Sequence, residues 1–525
     1  MADHAKDALR DAPAIAKPKA GRGFIAIVGA KAWFIITSYA IQLSLPRLLE
    51  SAAEFGLYKA TLSGVSILNN VLIVATIQSV AKRVSEDESA TPALLRQALR
   101  IQLVLGGALA VSLFVGAPAL SRFLLDDSLV PLLRVACVVV FVYALYGAMV
   151  GALNGRGLFI RQAKLDLSFS TLRAFGIIGG AVLGFGAFGA LAGWGAAAVA
   201  IALLALFVTR QDVFGRGGQP IALKRWIGFM APIWIYQACL NGVLLLDIQV
   251  LKRTLAELAL DAGQSAIQAA ETASTYVGYY GAAQTFAFVP YQLILALTFI
   301  IFPMISRATD SGDLDTAKST IQQALRVALL VLLSIAGPVA GAAEGVLRIA
   351  YTEEYLVGSA ALAILVFGVV AFALFVICAT VLSSAGRPGL AALVAGIGAI
   401  VVVVAGRLLI VASGGGVPSL TAVAWGTTIG MSLAFVLAAG IVALRFKTLI
   451  APATLVRALI ATAAAWLAAH YVPHDSRLMA LVALATGFVA FLVTLFVTRE
   501  LTPKDLQTIR SALSRDSGDR DSGDA

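Results

Sequence analysis

The stretch "GFIAIVGAKAWFIITSYAIQLSLPRLL", Gly23 to Leu49, holds a single charge, Lys31, before it reaches Pro46. About 20 mainly apolar residues cross the hydrocarbon core of a bilayer as a helix. This run is long enough, so it reads as a membrane span with an ammonium set inside it. The whole chain agrees: its 525 residues are 60% hydrophobic and only 13% charged, with mean hydropathy +0.91. A soluble domain does not keep so few charges over such a length.

Working outward on the same criterion gives about fourteen transmembrane helices, near residues 24–45, 60–80, 101–121, 130–152, 165–187, 189–209, 226–251, 277–302, 327–343, 360–383, 389–412, 420–444, 458–472 and 478–498. Placing the N-terminus inside leaves only Arg47, Lys59, Arg122, Lys252, Arg253, Arg348 and Arg477 in outer segments and Lys31, Arg134, Arg173 and Arg407 within spans; the rest of the 39 Lys and Arg residues fall inside. That bias is the positive-inside rule. It puts both termini in the cytoplasm, and it makes the net charge of +10 a matter of topology, so no nucleic-acid partner is expected. The first 22 residues do not resemble a cleaved signal peptide.

An internal repeat organises the spans. "ATIQSVAKRVSED" (Ala75 to Asp87) matches "TFIIFPMISRATD" (Thr298 to Asp310), Pro118 pairs with Pro338, Arg122 with Arg348 and Arg156 with Arg387. Each pair stands about 225 residues apart, the mark of a duplication. Six spans is an even number, so the two halves insert in one orientation and are related by a pseudo-two-fold axis along the membrane normal, with substrate sites expected between them. The expected architecture is all-α and polytopic: a cytoplasmic tail (1–23), a first six-helix lobe (24–209), a cytoplasmic linker (210–225) and a second six-helix lobe (226–444). Two extra C-terminal helices (445–498) and a cytoplasmic tail expected to be disordered (499–525) complete it. The segment from Leu255 to Ser274 is expected to be an outer-side insertion carrying a surface helix.

Charges inside a bilayer are expensive, and each is a functional-site hypothesis. Lys31 lies about 10 Å into its span and Arg173 about 12 Å at 1.5 Å per residue, whereas Arg134 and Arg407 are close enough to a helix end to snorkel. The first repeat offers no deep carboxylate to neutralise the first two. The structural alternative is that they snorkel as well; the functional one is a hydrated, cationic cavity built for an anion. Polar residues that could line it are Gln42, Asn69, Asn70 and Gln78 in the first lobe and Gln237, Asn241, Gln249, Gln284 and Gln292 in the second, each also able to serve as an interhelical hydrogen bond. Asp247 is the candidate for a coupling ion, against a structural salt bridge to Lys252 near the outer end of its helix. Arg47 and Lys59 stand near the outer mouth, as receivers of the anion or as rim charges.

No enzyme motif survives. "GDLDTAKS" (Gly312 to Ser319) lacks the second glycine of a phosphate loop, and His4, His470 and His474 form no metal-ligand pattern. Cys137, Cys239 and Cys378 read as small buried hydrophobes. No metal and no cofactor is expected.

"LPRLLESAAEFGLYKA" (Leu45 to Ala60) with "NNVLIVATIQSV" (Asn69 to Val80), and "YVGYYGAAQTFAFVPYQ" (Tyr276 to Gln292) with "FPMISRA" (Phe302 to Ala308), resemble the polysaccharide transporter family. Its members are the lipid-linked oligosaccharide and O-antigen flippases of the multidrug/oligosaccharidyl-lipid/polysaccharide (MOP) superfamily. The resemblance implies a multi-pass transporter of the bacterial inner membrane. It would move undecaprenyl-pyrophosphate-linked oligosaccharide from the cytoplasmic to the periplasmic leaflet by alternating access. Lys31 and Arg173, with Arg47 and Lys59, would then compensate the pyrophosphate. The implied partners are the lipid-linked glycan, membrane lipids and glycan-assembly proteins, with a monomer as the default. Alternatives are a lipid II flippase or a MATE-like drug or cation antiporter of the same superfamily and, from another class, a polytopic polyprenyl-sugar ligase or polymerase.

Overall fold

The computed structural model describes residues 17–292, 314–473 and 475–501, and among them there is no β-strand. The first lobe consists of α1 (Lys17–Leu48), α2 (Ala52–Glu86), α3 (Thr91–Phe123), α4 (Leu129–Gly155), α5 (Phe159–Val182) and α6 (Gly186–Phe214). The second contains α7 (Leu223–Asp261), α8 (Ala266–Ala287), α9 (Leu314–Gly341), the short α10 (Ala343–Ala350), α11 (Ser359–Ser384), α12 (Pro388–Ala412) and α13 (Pro418–Phe446). Two more, α14 (Pro452–His470) and α15 (Arg477–Val497), follow. Among the described residues 13 helices are long and apolar enough to cross a membrane. The eighth expected span, 277–302, lies partly in α8 and partly outside the described residues, and the repeat segment Thr298 to Asp310 and the motif Phe302 to Ala308 lie wholly outside them.

The duplication is visible in the packing. In the first lobe α1 lies along α5, α5 along α6, and α4 contacts α2, α3 and α6; in the second lobe the equivalent α7 lies along α12, α12 along α13, and α11 contacts α8, α9 and α13. Small residues set the closest approaches. A Cβ on Gly180 would stand 2.0 Å from the Gly189 carbonyl oxygen, and one on Gly176 would stand 2.3 Å from that of Gly193, so α5 and α6 meet backbone to backbone, the usual device where no hydrophobic effect drives helices together. The two extra helices pack on each other and on α9. They are pinned there by Glu500, which accepts from Arg326 Nε at 2.8 Å, Thr454 Oγ1 at 2.8 Å and Arg457 Nη1 at 3.1 Å.

The insertion after Lys252 is corrected by the structure. No separate surface helix forms there: α7 continues without a break for 39 residues, about 58 Å of helix at 1.5 Å per residue, well beyond a hydrocarbon core of about 30 Å. A four-residue turn follows, and α8 restarts on a capping box in which Ser265 and Gln268 satisfy each other's backbone amides. The extra sequence lengthens a helical hairpin.

The lobes meet where α2 lies against α7 and α8. At the end of the bundle where α1 hands over to α2 the seal is tight. A Cβ on Gly56 would stand 1.8 Å from the Ser274 carbonyl oxygen and one on Gly278 would stand 2.2 Å from that of Ala52. Arg47 Nη2 donates to the Ala350 carbonyl at 2.5 Å, and Gln249 Nε2 donates to Ala60 O at 2.7 Å and Ser63 Oγ at 2.6 Å. At the opposite end the inter-lobe linker is strapped to α3, where Gln97 exchanges two hydrogen bonds with the Ile221 backbone at 2.6 and 3.0 Å.

Candidate functional site

Between the lobes, α1, α2 and the α8 segment line an open cavity of about 130 Å³ formed by Ser38, Tyr39, Gln42, Lys59, Gln284, Thr285, Phe288 and Gln292. Helical spacing explains the α1 contribution, since Ser38 and Gln42 are one turn apart on one face. Lys59 reaches the cavity from α2. It is buried, not at a rim, and Nζ donates to Thr285 Oγ1 at 3.2 Å. Its stem runs over Gly281, where a Cβ would stand 2.9 Å from the lysine side chain; the second glycine of "GYYG" makes room for it. The Gln42 Oε1 atom is buried and without a hydrogen-bond partner. That is an open acceptor in a polar site, where a partner would otherwise be expected.

Arg173 stands behind this cavity. Nη2 donates to Ser38 Oγ at 2.7 Å, the guanidinium lies 4.6 Å from the centre of the Phe34 ring, and the buried Nε is unpartnered. The arginine is held by a face-on aromatic and a hydroxyl, with donor capacity left over.

Lys31 is 55% exposed and lies 3.6 Å from Asp166 Oδ2 on α5, a carboxylate 14% exposed. This corrects the expectation that the first lobe lacks a deep carboxylate. The fifth helix begins at Phe159, earlier than its apolar run suggested, and so carries Asp166 inward. The Tyr146 hydroxyl also faces Asp166, yet neither that hydroxyl nor Asp166 Oδ2 makes a hydrogen bond of normal geometry.

Asp247 is corrected too. It is 0% exposed and is not paired with Lys252. It accepts from Tyr280 Oη at 2.7 Å, Gln284 Nε2 at 3.2 Å, Thr427 Oγ1 at 3.3 Å and the Ile248 amide at 2.8 Å. Because α7 runs on to Asp261, Asp247 sits well inside the helix and not at its outer end. Four donors saturate the carboxylate. Lys252 turns instead to Asp126 Oδ2 of the other lobe, and also contacts Ser274 Oγ and the Ala270 carbonyl on α8 of its own lobe. Asp126 lies on the α3–α4 turn. Burial works against its charge, but the Lys252 ammonium and the donors Lys252 and Ser128 outweigh that and hold the carboxyl below its ordinary value.

The remaining candidates are scattered. Asn70 Nδ2 donates to Asn241 Oδ1 at 2.7 Å and joins the lobes at mid-depth. Asn69 is buried with both side-chain polar atoms unpartnered, Gln78 is exposed and Gln237 half-buried. None of these five lines the cavity. Sequence reasoning missed Asp166, Thr285, Gly281 and Asp126; the one available signal was Asp166 at the very start of the fifth apolar run. Among the described residues no group of His, Cys, Asp and Glu converges as metal ligands.

The comparisons with known proteins agree with this architecture. The profile of a family described as polysaccharide biosynthesis protein matches residues 44–219. No curated protein matches. Among solved structures, the lipid II flippase MurJ in an inward closed conformation is similar with TM-score 0.71 at 13% identity, covering 91% of this chain and 99% of that one. A MOP superfamily transporter from Pyrococcus furiosus, described as having a binding pocket of reverse polarity, gives TM-score 0.59 at 15% identity, covering 82% and 96%. A multidrug resistance MATE family transporter in an inward-facing conformation gives 0.63 at 16% identity, covering 81% and 98%. Identities this low speak to fold alone. The chain is thus a multi-pass membrane protein with the fold of the MOP superfamily transporters, and residues 44–219 match the profile described as polysaccharide biosynthesis protein.

Proposed function

We propose that this protein is a flippase for undecaprenyl-pyrophosphate-linked oligosaccharide, working by alternating access in a bacterial inner membrane with both termini cytoplasmic. In that orientation the α1–α2 end is periplasmic and closed. The observation that carries the reading is the cavity between the lobes, where buried Lys59, the Arg173–Ser38 contact and the open Gln42 acceptor present cations and amides together. A diphosphate suits the cations, and the first sugar's hydroxyls suit Gln42, Gln284 and Gln292. At about 130 Å³ the cavity matches a phosphate group and not a whole glycan, so the lobes part to admit the remainder while the polyprenyl chain stays in lipid.

A drug-cation antiporter reading is disfavoured because the groups lining the cavity include a lysine and no carboxylate. A lipid II flippase is a second reading, favoured by the likeness to MurJ over 91% of the chain; its cargo shares the polyprenyl diphosphate and differs in the headgroup. Asp247, saturated by hydrogen bonds in this state, serves as the coupling-ion candidate only once Gln284 moves with the cavity. No step of this scheme is a chemical reaction, so no enzyme activity is assigned.

The test is headgroup accessibility in proteoliposomes holding a fluorescent polyprenyl-diphosphate oligosaccharide. The wild type should expose the headgroup on the opposite leaflet. A Lys59→Ala/Arg173→Ala protein should do so at least about 100-fold more slowly, since each of the two charged hydrogen bonds contributes about 1.5–3 kcal/mol. Equal rates would remove the site assignment, and a wild type that moves no diphosphate lipid would remove the function.

A further inference from the structure

Lys31 and Asp166 form one rung across the α1–α5 seam, and Ser38 and Arg173 form a second. Both steps are seven residues, two helical turns, so the rungs lie about 10 Å apart along the seam. The second rung opens through Ser38 into the cavity that Lys59 lines. The three cations therefore mark out a track that runs from Lys31 past Arg173 to Lys59. Among the described residues, only the first of them has a carboxylate within ion-pair distance.

That carboxylate is held loosely. A structural ion pair in the same molecule, Lys252 with Asp126, has every acceptor in hydrogen-bond contact, and the lysine is 0% exposed. By contrast Lys31 stands 3.6 Å from Asp166 Oδ2, beyond hydrogen-bond length. Asp166 Oδ2, the Tyr146 hydroxyl and Gln162 Oε1, one turn away on α5, make no hydrogen bond of normal geometry, although Lys31 and Tyr146 both stand close enough to interact with the carboxylate. A buried cluster with so much unused hydrogen-bonding capacity is poorly suited to a permanent strut, whereas a half-exposed ammonium can be reached by an anion from outside.

We infer that Asp166 is an exchangeable internal counter-ion: the arriving diphosphate displaces it from Lys31, and its return to Lys31 helps drive the diphosphate onward to Arg173 and Lys59. Asp166 is then a positioning residue that sets affinity at the entrance and the rate of departure from it. The inference rests on the proposed diphosphate cargo and adds to it a group that competes with that cargo.

The experiment measures binding of a short-chain prenyl diphosphate N-acetylglucosamine to purified protein, and flipping of its long-chain counterpart in proteoliposomes. It compares wild type, Asp166→Asn, Lys31→Met and the double variant, each checked for a monodisperse, cooperatively unfolding protein. Asp166→Asn should bind about fivefold tighter, the scale of one partly screened ion pair, while its flipping rate at saturating substrate falls. On the Lys31→Met background the same substitution should change neither. A structural role would instead weaken binding and rate together, and that result, unchanged affinity, or a gain that persists without Lys31 overturns the inference. A wild type that flips the probe while Asp166→Asn matches it sinks the inference alone; a wild type that neither binds nor flips it sinks the proposed function.

Discussion

Two lysine–aspartate pairs in this chain look alike on paper and differ in almost every physical respect. Lys252 and Asp126 join the two lobes at the α1–α2 end, the lysine 0% and the aspartate 4% exposed, with Ser274 and the Ala270 carbonyl completing the ammonium's acceptors. Lys31 and Asp166 lie within one lobe, 3.6 Å apart, with the lysine half in the open. A buried charge must be fully paired because nothing else replaces its lost hydration. A charge meant to meet a passing ligand must leave some of its capacity unused. Saturation thus separates the pair that seals from the pair that binds.

The comparison breaks most visibly at the seal. Lys252→Met should destabilise the protein by about 3–5 kcal/mol, because it strands the Asp126 carboxylate without its partner. Thermal unfolding in detergent would read this, and Asp126→Asn on the same background should restore part of the loss. If the single variant unfolds like wild type, the pair is not what closes that end. Packing gives an intermediate effect. Gly56→Leu forces a side chain toward the Ser274 carbonyl, where a Cβ already stands at 1.8 Å, and overpacking of this kind costs about 1–3 kcal/mol. The expected outcome is faster labelling of a reporter cysteine introduced at the α1–α2 end, with the first lobe itself still folded.

At the loose pair the stability effect should be small. Lys31→Met should shift stability by less than about 1 kcal/mol, the range for a half-exposed ion pair, so transport should change far more than unfolding temperature. A large stability loss there would make Lys31 a structural residue. The smallest effect concerns pH. Asp126 and Glu500 both sit below their ordinary carboxyl values, Asp126 through Lys252 and Ser128, and Glu500, against the effect of burial, through donors on Arg326, Thr454 and Arg457. A depressed folded-state pKa gives stability that is present above the unfolded value of about 4 and is lost as pH falls through the folded one. Their contribution, read as the difference in unfolding temperature between wild type and an Asp126→Asn/Glu500→Gln protein, should therefore stay flat from pH 8 to pH 5 and decline only below about 4. A decline that already begins near pH 6 would contradict the depressed values.

Periodicity and charge placement were enough for the helices, the like-oriented halves and the two appended spans, because each depends on local hydrophobicity or on a repeat visible in one dimension. Lys31 and Arg173 also stood out, since a cation in an apolar run is conspicuous without any knowledge of its neighbours. Their company was not legible. Asp166 sits at the border of an apolar run, where a carboxylate is unremarkable until α1 is laid beside α5. Asp247 and Lys252 share a helix and looked like a pair, yet an uninterrupted α7 points one into its own lobe and the other across to Asp126. The amino-acid sequence by itself marked the segments that form the 13 described helices long and apolar enough to cross a membrane, because burying each in lipid is a property of that segment alone. Only the tertiary structure decided which charge meets which, because pairing depends on the rotation and register of helices more than a hundred residues apart in the chain.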